Sequence, residues 1–105
     1  MPDPGLVNLG QISKAWVEAL GKLIKKEQDE LIAHLEESMR LHEEASELYR
    51  KGKKELWPRA ERLRLKGDDE AEKAGEIENM IKGKKEALRA WQQLYDHFKS
   101  VLRNG

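Results

Sequence analysis

The chain predicts an all-α fold, an antiparallel helical hairpin turning at Gly67 and extended to a three-helix bundle, and three observations carry that expectation. Ile77, Lys84, Trp91 and Phe98 recur every seven residues, as do Ile81, Leu88, Tyr95 and Leu102, with Met80, Ala87, Leu94 and Val101 beside them. All of these but Lys84 are apolar or aromatic, which is the period of a long helix lying along partner helices. Threonine is absent and aromatic residues are 6% of the chain, so strands have little material. Charge is laid out in blocks that match when the chain folds back on itself.

Taken in order, Pro2, Pro4 and Gly5 mark residues 1–10 as an irregular tail. The helical period then begins near Gln11 with Ile12, Trp16, Ala19, Leu20, Leu23 and Ile24. Residues 11–66 form one kinked helix or two. Gly21 either weakens a continuous helix by about 1 kcal/mol or caps a short one, and the polar stretch Lys25 to Glu30 follows it. From Leu31 the apolar face resumes through Leu35, Ser38, His42, Ala45, Tyr49, Leu56, Ala60 and Leu63. It crosses Pro58 without losing register, so Pro58 is expected to kink a helix instead of ending it.

The boundary expected next is Lys66-Gly67-Asp68-Asp69, where glycine suits a left-handed helix cap and Asp69 with Glu72 makes an acidic capping box. Residues 69–103 are then the last helix. Glu27 to Glu47 holds eight acidic residues and one basic, and Arg50 to Lys66 holds eight basic and two acidic. Beyond Gly67 the order reverses, with Asp68 to Glu78 acidic and Lys82 to Arg103 basic. A turn at Gly67 sets opposite blocks side by side. A helix over 11–65 would run about 80 Å against about 50 Å for its partner, and Trp16, Leu20, Leu23 and Ile24 are too apolar to be left in water. The surplus length is expected to fold back as a third helix or to be covered by a second copy, which makes a dimer the other expectation. Lys-Gly-Lys-Lys-Glu occurs at Lys51 to Glu55 and again at Lys82 to Glu86, too short a match for a repeat architecture.

With 105 residues the chain is read as a single helical-bundle domain. Its 20 basic and 20 acidic residues balance, which disfavours a dedicated nucleic-acid binder. No cysteine is present, which removes disulfides, thiolate metal sites and thiol nucleophiles together. No run approaches the roughly 18 apolar residues of a membrane span, and Met-Pro-Asp-Pro lacks the basic and apolar regions of a signal peptide. A soluble, cytoplasmic protein is expected.

The candidate chemistry is sparse. His42 lies on the apolar seam with Ser38 and Tyr49 one and two turns away, the polar floor of a conceivable small-molecule pocket, natural or engineered. The blander account makes His42 a hydrogen-bonded packing residue. Glu30, His34 and Glu37 share a helix face and form a weak metal-ligand set, on a charged helix where such neighbours are common. No cofactor is implied. Gly5 to Ser13 brushes the phosphate-loop spacing but has Gln11 in place of the lysine that reaches the phosphates, and no strand precedes it. Arg50 to Lys66, with Trp57 inside, could track phosphates, but the neighbouring acidic segment lowers that reading. Lys84 interrupts the stripe, as a snorkelling or register-selecting lysine does.

Asp69 to Leu94, with Ala71-Glu72, Ile77, Ala87, Trp91 and Leu94, loosely resembles the last helix of a spectrin-type repeat over about a quarter of the chain. The resemblance implies a three-helix unit and a scaffolding role. The function expected is a non-enzymatic helical interaction or assembly module that binds a protein partner or itself as a coiled-coil oligomer. Trp16, Leu20, Leu23 and Trp57 are the interface candidates, since aromatic and large apolar side chains anchor such surfaces.

Overall fold

The computed structural model describes residues 4–104. They form two long helices, α1 (Pro4–Arg50) and α2 (Trp57–Asn104), joined by a turn that contains a short 3-10 segment at Lys54–Leu56. No strand occurs among the described residues.

The turn lies at Gly52, not at Gly67. Gly52 has φ +68° and its amide donates to the Tyr49 carbonyl at 3.1 Å, while the Lys51 amide donates to Glu47 at 3.3 Å. Only glycine enters the left-handed region without a Cβ penalty, so α1 stops at Arg50, two residues before Gly52. Lys53 is extended, and the Leu56 amide then closes the 3-10 turn on the Lys53 carbonyl at 3.0 Å. Pro58 stands in the first turn of α2, where its missing N–H removes no helical hydrogen bond. It therefore begins a helix instead of kinking one.

Three further expectations are corrected. Helix α1 runs unbroken through Gly21 and Lys25 to Glu30, so residues 11–66 divide at the Gly52 turn instead of near Gly21. Residues 4–10 belong to α1 instead of an irregular tail, and residues 1–3 lie outside the described set. Gly67 is an interior residue of α2, so 69–103 is part of that helix and not a separate one.

Along α1 the least exposed positions step by alternating three and four residues: Gly10, Ser13, Val17, Leu20, Ile24, Glu27, Leu31, His34, Ser38, Leu41, Ala45 and Leu48. From Leu56 at the end of the 3-10 segment the same alternation runs along α2 through Ala60, Leu63, Gly67, Glu70, Ala74, Ile77, Ile81, Lys84, Leu88, Trp91, Tyr95, Phe98 and Leu102. Each helix thus buries one narrow stripe, which serves as its seam.

The chain resolves into two compact units, Glu27–Asn79 and the paired termini Met1–Lys26 with Met80–Gly105. In the first, which holds the turn, small residues of α2 (Ala60, Gly67, Ala74) are buried and recur every seven positions, and Leu41 and Ala45 are buried on α1. Its antiparallel register is fixed by bonds between the helices: Ser38 Oγ donates to the Gly67 carbonyl at 2.8 Å, and Tyr49 donates to Glu61 at 2.8 Å. In the terminal unit Leu20, Ile24 and Ile81 are buried. There the Trp16 and Trp91 rings stack with centroids 5.7 Å apart and planes 11° from parallel.

Candidate functional site

Each polar residue of the expected pocket has its own partner on α2. Ser38 is buried against the Gly67 carbonyl, His42 Nε2 lies 3.0 Å from Asp68 Oδ1, and Tyr49 reaches Glu61. A Cβ on Gly67 would lie 2.7 Å from the His42 ring, so the imidazole rests directly on the α2 backbone. Ser38 and His42 stand one turn apart on α1 and Tyr49 two turns further on, and each is held by its own bond to α2. The hydrogen bond that Tyr49 donates to the Glu61 carboxylate raises its phenol, and the Arg64 and Tyr49 donors hold the Glu61 carboxyl down at about 2.

The metal-ligand candidates are likewise engaged. His34 Nδ1 donates to Glu70 at 2.5 Å, a contact that holds the Glu70 carboxyl below the usual range. Glu37 is paired with Arg40 at 2.5 Å, and Glu30 is exposed. Among the described residues no group of three His, Asp or Glu side chains is placed to hold a metal ion. The basic block is interleaved with acid: Arg64 pairs with Glu61 and, at 3.1 Å, with Asp68, while Arg59 and Lys51 line a groove with Glu44 and Glu47.

The interface candidates are divided. Leu20 is buried in the seam, whereas Trp16, Leu23 and Trp57 remain 51%, 46% and 43% exposed. Trp57 stands at the start of α2 in the turn-bearing unit, which also exposes Ile32, Leu35 and Met39 on α1. Trp16 and Leu23 belong to the terminal unit, which like the turn-bearing unit exposes large apolar residues from both helices. Leu9, Ile12, Trp16 and Leu23 come from α1, and Met80, Leu94 and Val101 from α2.

Their spacing places them on one side. Leu9, Trp16 and Leu23 each precede a seam position of α1 by one residue, and Met80, Ala87, Leu94 and Val101 do the same on α2. In antiparallel pairing such positions flank the seam on a common side. The opposite flank of the same unit carries lysine from both helices, Lys14 and Lys99, which line one groove with Gln11 and Tyr95. The apolar side has small residues between the large ones: Ala15, Ala19, Ala87 and Ala90. A shallow hollow of about 230 Å³ beside Trp16 is floored by Ala15 and Ala19.

Sequence reasoning missed Leu9, Ile12, Met80, Leu94 and Val101 as members of this face. The signal was the width of the stripe, since two columns fill a two-helix seam and the third has nothing within the pair to cover it. No family model, curated protein or solved structure matches this chain. No helix of the described residues is long and apolar enough to cross a membrane.

Proposed function

We propose that this protein is a non-enzymatic helical interaction module that works through the apolar side of its terminal unit. The observation that carries the reading is the alignment of Leu9, Ile12, Trp16 and Leu23 with Met80, Leu94 and Val101 in water on one side of a helix pair. Scattered apolar residues need no explanation, but a contiguous two-helix face is the form in which helical partners are bound. The hydrogen-bonded polar residues of the turn-bearing unit are read as packing and register devices, consistent with the bonds each makes across the seam.

Recovery of bound protein from cell extract, including a differently tagged copy of the chain itself, compares the native sequence with a Trp16→Glu, Leu94→Glu variant. The reading expects protein that the native chain retains and the variant loses. Equal recovery by both chains would contradict it.

A further inference from the structure

We infer that the occupant of this apolar side is a second copy of the chain, two terminal units packing face to face as a four-helix bundle; this rests on the interaction-module reading and names its partner. The chain exposes 7870 Å², whereas the scaling of compact monomers gives about 6,100 Å² for a mass of 12.2 kDa. The excess, roughly 1,800 Å² over the whole chain and both of its units, leaves room for the roughly 800 Å² per partner that a standard stable interface buries.

Charge selects the partner and its orientation. The positions outward of the seam on this side, Asn8 to Ala19 on α1 and Ala87 to Val101 on α2, include Leu9, Ile12, Trp16, Ala90 and Leu94 and carry no formal charge with His97 neutral. A two-fold apposition of this surface therefore sets no like charges against each other, and a partner selected by charge has nothing to read at its centre. Formal charge enters at one end only, as Lys22 and Lys26 on α1 and Glu86 on α2.

A two-fold axis along the helices lays each α1 on the α2 of the other copy, so that all neighbouring helices are antiparallel. Lys22 and Lys26 then meet Glu86 of the partner subunit. The hollow floored by Ala15 and Ala19 beside Trp16 stands at the level of Leu94 of the partner subunit, an apolar side chain of the size it admits. Trp16 in turn faces the small Ala87 and Ala90. Large residues meet small ones at each level, as close helix packing needs.

Sedimentation equilibrium of the full chain tests this, with circular dichroism confirming that each variant stays helical. The expected mass is twice 12.2 kDa, with the dissociation constant raised more than about tenfold by Leu94→Glu. Lys22→Glu is expected to weaken the dimer, and adding Glu86→Lys to restore it. Monomer at every concentration, or a dimer indifferent to Leu94→Glu, overturns the inference, as does a monomer that binds vesicles of anionic phospholipid, since the face then serves a lipid surface. A monomer whose Trp16→Glu, Leu94→Glu variant loses another protein from extract overturns the second copy alone and leaves the module reading standing.

Discussion

Gly67 shows how one missing side chain organises a level of the seam. Its absent Cβ admits the His42 ring at 2.7 Å, and its carbonyl accepts from buried Ser38. Glycine normally costs a helix about 1 kcal/mol relative to alanine, so its presence inside α2 reflects close approach. Gly21 and Gly75 have nothing within 4 Å of a built Cβ. Gly21→Ala and Gly75→Ala should each raise stability by about 0.5–1 kcal/mol in urea unfolding. Gly67→Ala should instead lower it by roughly 1 kcal/mol, because the displaced ring outweighs the helical gain. Combining it with His42→Ala should recover the gain. Glu61 supplies a pH test at the same scale. Its carboxyl is held at about 2 in the folded chain, from an ordinary 4.5, by Arg64 first and Tyr49 second. A depressed folded value stabilises above the unfolded value, and that contribution fades as pH falls from about 4.5 through about 2. Glu61→Gln should flatten the stability profile in that acid window and leave its slope near neutrality unchanged.

At the scale of the element, the turn was legible in a signal that a stronger one masked. Gly52 followed by Trp57-Pro58 has glycine just past one helix and proline at the start of the next. Gly67-Asp68-Asp69 with Glu72 imitates the same punctuation more fully, and the charge blocks fit a turn at either place. Local pattern cannot separate a glycine that ends a helix from one that lets a second helix come close, because the difference lies in what packs on it. The alternation of three and four residues does separate them. From Ala60 through Leu102 the seam of α2 continues across Gly67 without a skip, and a turn there would have broken the phase. The left-handed backbone of Gly52 gives the direct check: Gly52→Ala should destabilise by roughly 1 kcal/mol, opposite in sign to Gly75→Ala.

For the whole molecule, the helical class and the apolar surplus near Trp16 were readable from composition and period, and the destination of that surplus was not. A third helix and a second copy bury the same residues, so periodicity serves both equally. Two continuous helices leave no third segment among the described residues to cover Trp16 and Leu23. Leu20 was grouped with them because helical spacing alone does not separate neighbouring columns; the structure turns it into the seam at 8% exposure. If two copies share the apolar side, the Tm should rise with protein concentration, since association is linked to folding, and Leu94→Glu should remove that dependence.

The chain has no cysteine, so introduced thiols report on proximity without interference. The most direct measurement is oxidation of a mixture of Ala19→Cys and Ala90→Cys chains, with a mixture of Lys25→Cys and Lys82→Cys chains from the basic flank as reference. The account predicts covalent heterodimer from the first mixture, since in the proposed dimer the two positions would oppose each other across the apolar side, and little from the second. Equal yields from both mixtures, or none from the first, would contradict it.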